Sequence, residues 1–207
     1  MSQILYGVIG CGEHAQRSHI VPGNRAGLVL AAVYDPNNEN ANAAAALSTV
    51  PVRRYDSYQE LVVSPEISTV MILSPDRFHP AQLAAAIKAG KHVMIDKPLA
   101  IDNVGMEIVM DALIVAHQKR LIITSCHPRR FDPPYQFMRD QVLQGRFGKL
   151  LAVYLDFSYH VPSEPWKEQR SLLLDHFPHE IDYLTYLLGP SPFSAVRLAD
   201  NFDRYAV

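Results

Sequence analysis

Cysteine is scarce: Cys11 and Cys126 are the only two in 207 residues, and they are not in a CxxC spacing. That argues against a disulfide framework and leaves no zinc-site signature. An excess of either charge is missing as well. Nineteen Lys+Arg against 21 Asp+Glu give a formal charge of -2, so no broad field draws in a nucleic acid or an anionic membrane, and neither is an expected partner. No apolar run approaches the ~20 residues of a membrane span. The N-terminal MSQILYGVIGCGEHA lacks the basic start of a secretory signal. A cytoplasmic protein is the expectation.

What the chain does have is 48% hydrophobic and 19% charged residues, the balance of a globular protein long enough to bury an ordinary core. Short runs rich in Val, Ile and Leu alternate with longer amphipathic segments, the pattern of βαβ units on a parallel sheet. Strands are expected at 4–9, 28–34, 68–73, 92–95 and 121–125, with a weak one near 52–54. Helices are expected at 39–48, 80–90 and 103–119, the last with Asp102 as N-cap. Right-handed crossovers then give a doubly wound α/β sheet, a Rossmann-type domain over residues 1–125. From about residue 126 the rhythm changes to a proline-bearing loop, CHPRRFDPP, and a helix near 134–145. A long alternating strand, KLLAVYLDFSYH, follows, then a helix through DHFPHEIDYLTYLLG capped by Gly189, and a last strand, FSAVRLA. Residues 126–207 are therefore expected to form a second, α+β domain with a mostly antiparallel sheet.

Directly after the first strand, GCGEHA places Gly10, Gly12 and Ala15 in a G-x-G-x-x-A pattern. The first glycine permits the turn, and the second lets the backbone approach a pyrophosphate. The third small residue lets helix and strand pack closely, with the helix N-terminus facing the phosphates. Glu13 and His14 complete this turn. The second strand ends at Asp35, placed to accept hydrogen bonds from a ribose hydroxyl. SPDRFH follows the strand ending at Leu73, which puts Ser74 and Pro75 at the same sheet edge, with His79 either lining it or merely starting the next helix. In GKHVMIDKPLA the apolar run Val93–Ile95 ends on Asp96, Lys97 and Pro98, so Lys97 is presented at that edge too. Cys11 is expected to pack rather than react.

Taken together, GVIGCGEHA, SPDRFH, AGKHVMIDKP and LDHFPHEIDYLTYLLG resemble the Gfo/Idh/MocA family of glucose-fructose oxidoreductase and inositol dehydrogenase relatives, from residue 5 to about 200. The resemblance implies a Rossmann domain that binds NAD or NADP and a substrate domain, acting on sugars, cyclitols and related polyols. The family's E-K-P signature is matched by Asp96-Lys97-Pro98 and its D-x-x-x-H signature by Asp175 and His179, which share a helix face. The implied roles are hydride transfer, with His179 as base, Lys97 stabilising alkoxide charge and Asp175 orienting the donor groups. Phe177, Ile181, Leu184 and Leu188 are read as that helix's packing stripe, and Arg129 and Arg130 match an arginine-bearing loop. Gly10, Gly12, Glu13, His14, Ala15, Asp35, Ser74, Pro75, His79, Asp96 and Lys97 form the expected cofactor set. NAD is favoured over NADP because Pro36, Asn37 and Asn38 add no positive charge, and no metal is expected. A dinucleotide-binding regulatory or scaffolding protein is the alternative. The second domain is short for the family, so the chain is expected to be a shortened form that covers the apolar positions Leu151, Val153, Leu155 and Phe157 by forming a homo-oligomer.

Overall fold

A computed structural model describes residues 3–155 and 177–189. The chain divides into two compact units, Met1–Cys126 and His127–Val207. The first is built on β1 (Leu5–Ile9), β2 (Val29–Tyr34), β3 (Arg53–Arg54), β4 (Thr69–Ile72), β5 (His92–Ile95) and β6 (Ile123–Ser125). All neighbouring strands pair in parallel, in the order β3-β2-β1-β4-β5-β6. This is the doubly wound order, with the strand sequence reversing direction between β1 and β4.

The helices of this unit begin with α1, which runs through Glu13–Ala15, a π-helical turn at Gln16–Ile20, and Val21–Arg25. Then come α2 (Asn38–Ala45), α3 (Tyr58–Val63), α4 (His79–Lys88) and α5 (Asn103–Gln118). Alternate strand residues feed two cores. Tyr6, Val8, Leu30, Val33 and Met71 pack with Ile20 of α1 and with Ala41 and Ala44 of α2. Ile9, Ala32, Val70, Ile72, Val93 and Ile95 pack with Leu61, Leu83, Ile87 and Val109 of α3, α4 and α5. The expected strands and helices lie within one to three residues of these elements, and Asp102 caps α5 by accepting the Gly105 N–H at 2.7 Å. Helix α3 was not expected from apolar periodicity because it is only six residues long. Its signal is the cap, where Ser57 accepts the Glu60 N–H at 3.2 Å within the tetrapeptide SYQE.

In the second unit a 3-10 turn at Pro128–Phe131 precedes α6 (Pro133–Leu143), and α7 runs over Phe177–Leu188 with Gly189 at φ 82. The sequence predicts a strand from Lys149 to His160. Leu151 to Leu155 are instead irregular, with Leu151 87% exposed. A strand needs a pairing partner and none reaches this stretch among the described residues; its remainder, the FSAVRLA strand and Asp175 lie outside them. Among the described residues no helix is long and apolar enough to cross a membrane.

At the amino end of β5, Lys91 is buried, and its Nζ donates to the carbonyls of Ser64 and Ile67, both at 2.6 Å. Burial pushes its pKa below the usual lysine value. Replacing it by methionine keeps the length of the side chain and leaves both carbonyls without their donor. Lys91→Met should therefore cost about 2–3 kcal/mol in urea unfolding, the range for a charged donor removed from buried acceptors; an unchanged midpoint would show that the amine holds nothing.

Candidate functional site at the carboxyl edge of the sheet

Gly10 leaves β1 at φ +87 and donates its N–H to the Tyr34 carbonyl at 2.9 Å. A Cβ here would lie 2.5 Å from the Ser74 nitrogen, so only glycine lets the end of β1 meet the loop after β4. Gly12, at φ -61, differs: a Cβ there would meet nothing within 4 Å. Among the described residues no protein atom requires glycine at position 12, and the face it leaves bare is open. Ala15 is buried against the first core, as close packing of helix and strand demands.

The carboxylate of Asp35 is held by two backbone donors, Cys11 N–H on Oδ2 at 2.7 Å and Asn37 N–H on Oδ1 at 2.8 Å. A carboxylate accepts at about four lone-pair positions, so capacity for further donors remains. The Glu13 side chain pairs with Arg17 at 2.9 Å on the exposed face of α1, which leaves its main chain, not its carboxylate, as what it contributes to the turn. Gln16 Nε2 donates to the Cys11 carbonyl at 2.8 Å.

Asp96 links the end of β5 to α1. Its Oδ1 accepts the Lys97 N–H at 2.8 Å, and its Oδ2 lies 3.4 Å from His14 Nε2. Burial alone would raise its pKa; the hydrogen bonds from His14 and the Lys97 N–H, with the charges of His14 and Lys97, outweigh that and hold it below the usual aspartate value. His14 Nε2 also lies 3.3 Å from His19 Nε2, and His19 Nδ1 lies 4.0 Å from the Cys126 sulfur. Burial, then the neighbouring His14, lowers the pKa of His19. This run from Asp96 to Cys126 is not visible in the sequence, because its members come from three separate elements.

Ser74 donates from Oγ to Gln82 Oε1 at 2.5 Å. The expectation that His79 lines the cofactor crevice is corrected: its side chain is 1% exposed and both ring nitrogens face main-chain carbonyls, those of Pro98 at 2.7 Å and Ser74 at 2.8 Å. Gly10, Gly12, Asp35, Ser74, Pro75, Asp96 and Lys97 are gathered at the carboxyl ends of β1, β2, β4 and β5, as expected.

In the second unit, His179 sits on α7 with its ring edge-on to His127, centroids 6.0 Å apart at 88°. His127 Nδ1 is 3.9 Å from Asp182 Oδ2. Arg130 grips Asp182 through Nε and Nη2 at 2.7–3.0 Å, and Arg129 Nη1 is 2.5 Å from Glu180 Oε2. Both arginines, aligned by resemblance with a substrate-domain loop, thus bind carboxylates of α7. The expected packing stripe is also corrected. Tyr183 and Leu187 are the buried positions while Ile181 and Leu188 are exposed, because Tyr183 stacks edge-on against Tyr135 of α6 with centroids 4.7 Å apart.

Residues 4–125 match the model of an oxidoreductase family with an NAD-binding Rossmann fold, the Gfo/Idh/MocA family. The inositol 2-dehydrogenase of Agrobacterium fabrum is 32% identical over 197 residues, which cover 93% of this chain and 56% of that protein. The UDP-N-acetylglucosamine 3-dehydrogenase of Acidithiobacillus ferrooxidans is 30% identical over the same shares of the two chains. The solved scyllo-inositol dehydrogenase of Lactobacillus casei, with bound NAD(H) and scyllo-inositol, superposes with a TM-score of 0.71 at 23% identity, over 90% of this chain and 56% of that one, and shows the fold. The chain spans about half the length of the curated relatives it matches.

Neither cysteine is arranged as a nucleophile. Burial, reinforced by the Asp35 charge, pushes the Cys11 thiol up to about 12, and burial with the Asp96 charge pushes Cys126 up to about 11. For Cys126, a rise from 9.0 to about 11 leaves about a hundredfold less thiolate at pH 8 than a free cysteine has. Iodoacetamide should therefore label Cys126 about 10²-fold more slowly than a free thiol, followed by peptide mass spectrometry. Labelling at the free-thiol rate would show that this end of β6 is open to solvent.

Proposed function

Because the chain belongs to the Gfo/Idh/MocA oxidoreductase family, we propose that it binds NAD at the carboxyl edge of its parallel sheet and transfers a hydride to or from the hydroxyl-bearing carbon of a sugar, cyclitol or related polyol. The observation that carries the reading is Gly12. Its bare, open face has no partner among the described residues, and it stands at the start of α1, where a dinucleotide's pyrophosphate needs close approach to main-chain N–H groups. The polyol follows from the inositol and amino-sugar dehydrogenases among the relatives.

The nicotinamide ring, when bound, supplies the hydride acceptor or donor. Gly10 and Gly12 shape the turn against the pyrophosphate, and Ser74 and Pro75 border it from the next loop. Asp35, fixed by the Cys11 and Asn37 N–H groups, accepts ribose hydroxyls with its remaining lone pairs. A 2′-phosphate would meet this carboxylate with no cation in Pro36-Asn37-Asn38 to offset it, so NAD is the preferred form. By family resemblance, the Lys97 ammonium stabilises the negative charge that develops on the substrate oxygen, and His179 takes up the hydroxyl proton, with Asp175 as its orienting partner. Glu180 and Asp182 are engaged by guanidinium groups, which supports the imidazole rather than either carboxylate as the base on α7. The protein acts in the cytoplasm and associates with its own copies through apolar positions near Leu151.

Gly12→Ala tests the carrying observation. At φ -61 with no atom within 4 Å, alanine should leave unfolding within about 1 kcal/mol of the parent while NAD affinity in calorimetry falls by about tenfold or more. The parent should bind NAD more tightly than NADP. Unchanged affinity in the variant, or tighter NADP binding, would overturn the assigned cradle or the cofactor preference respectively.

Lys97→Ala and His179→Ala should each lower kcat by about 10²–10⁴-fold with little change in NAD affinity. Turnover near that of the parent in either variant would remove that residue from the mechanism.

A further inference from the structure

His79 opens α4, yet its side chain turns away from its own helix and spans the two loops that leave β4 and β5. Nδ1 is 2.7 Å from the Pro98 carbonyl oxygen and Nε2 is 2.8 Å from the Ser74 carbonyl oxygen. A carbonyl can only accept, and a neutral imidazole has one N–H to give, so the ring satisfies both carbonyls only with a proton on each nitrogen. Burial, and to a lesser degree the Lys97 charge, presses its pKa down; the two carbonyls and the Asp96 charge press it up, and burial outweighs them. With its pKa lowered, the ring near neutral pH is neutral and donates one N–H; because the Ser74 loop is held by other bonds, we assign that N–H to Nδ1 and the Pro98 carbonyl, with Nε2 packed against the Ser74 carbonyl.

The two loops do not depend on this bridge equally. The β4 loop is fixed without it: Leu73 N–H bonds to the Ile9 carbonyl at 2.8 Å, Ser74 Oγ to Gln82, and the Ser74 backbone sits where a Gly10 Cβ would be. The β5 loop is fixed as far as Lys97, by Asp96 N–H on the Ile72 carbonyl at 3.0 Å and by Lys97 N–H on Asp96 Oδ1. Beyond Lys97 comes Pro98, which has no N–H, and its carbonyl is where His79 takes hold. Lys97 is therefore held from one side by the sheet and from the other by His79.

We propose that His79 is a positioning residue for Lys97: wedged between the Ser74 and Pro98 carbonyls and donating to the latter, it fixes the direction in which the lysine leaves the sheet edge, while touching neither cofactor nor substrate. The proposal rests on the reading of Lys97 as the charge-stabilising group. A misplacement of about 1 Å at such a group costs about 10²-fold in rate, which sets the size of the effect.

The test compares His79→Ala, His79→Gln and Leu83→Ala in the full chain. Leu83 is a fully buried residue of the same helix and reports what general loosening of α4 does. His79→Ala should speed amide exchange at Lys97 and Leu99 by about tenfold or more, with the β1 amides unchanged. It should also lower kcat by about 10²-fold with NAD affinity held within about threefold. His79→Gln, whose side-chain amide keeps an N–H for the Pro98 carbonyl, should restore much of both, and Leu83→Ala should lose stability without the loss in kcat. Unchanged protection at Lys97 and Leu99 in folded His79→Ala, a kcat loss equalled by the loss of NAD affinity, or the same kcat loss in Leu83→Ala would each overturn the proposal. Should the alanine variant not fold, His79→Asn, too short to reach the Pro98 carbonyl, takes its place against His79→Gln, and equal exchange in the two would overturn it. If the parent shows no polyol-dependent reduction of NAD, the functional reading fails, and the exchange comparison still decides whether His79 holds the turn.

Discussion

Where β1 ends, the chain must turn at φ +87 with the Ser74 nitrogen only 2.5 Å from the place a Cβ would occupy, and the arrangement of the whole sheet edge follows from that one steric constraint. With Gly10 in place, the loops after β1 and β4 meet at the point where the strand order reverses. The Cys11 N–H then falls on Asp35, which draws in the end of β2, and the Ser74 carbonyl falls on His79, which draws in the turn after β5. Four strand ends are thus tied by a relay of short contacts, most of them made by main-chain groups. Such a network resists side-chain substitution at most positions and fails at few, and Gly10 is the one through which the others connect.

The second unit relies on a different device. Arg129 and Arg130, adjacent in one turn, each bind a carboxylate two residues apart on α7. The Arg129–Glu180 pair is largely shielded, its side chains 13% and 12% exposed. Removing one partner from such a pair leaves a poorly solvated charge, so the pair fixes geometry more surely than it adds net stability. Its chemical effect on α7 is to commit Glu180 and Asp182 to guanidinium partners. His179, just before them in sequence, stands edge-on to His127.

The sequence disclosed what is local and concealed what is not. G-x-G-x-x-A, the Asp35 that ends β2 and the lysine that ends β5 were legible because each depends on a few consecutive residues and on strand periodicity. The pairing of Gly10 with Ser74, 64 residues away, leaves no trace in either segment, and neither does the reach of His79 from Ser74 to Pro98. His79 was placed with the cofactor set because its position at a strand-to-helix junction looks the same whether the ring faces outward or inward. On α7, counting apolar residues selected Ile181 and Leu188. The helix in fact buries Tyr183 and Leu187, so leaving the aromatic out of the apolar stripe moved the expected face by about a third of a turn. Arg129 and Arg130 were noticed as a pair, but their partners lie 51 and 52 positions on.

One short stretch, GKHVMIDKP, shows how two lysines of the same strand come to differ. Lys91 stands at the amino end of β5 with its amine against two carbonyls at 2.6 Å, and burial lowers its pKa. Lys97 stands at the carboxyl end, after the strand has lost its neighbours and where the turn is held through main-chain groups by Asp96 and His79. The distinction lies in what supports each residue. At Lys91 the amine is itself the support, so its chemistry is spent on the fold. At Lys97 the backbone is supported by other groups, the Asp96 carboxylate and the His79 ring. A parallel sheet enforces this asymmetry, because its amino edge is closed by the incoming chain, whereas its carboxyl edge is where loops diverge and leave a crevice. Fixing β5 at the closed end is what allows the open end to carry a cation on a short, rigid turn.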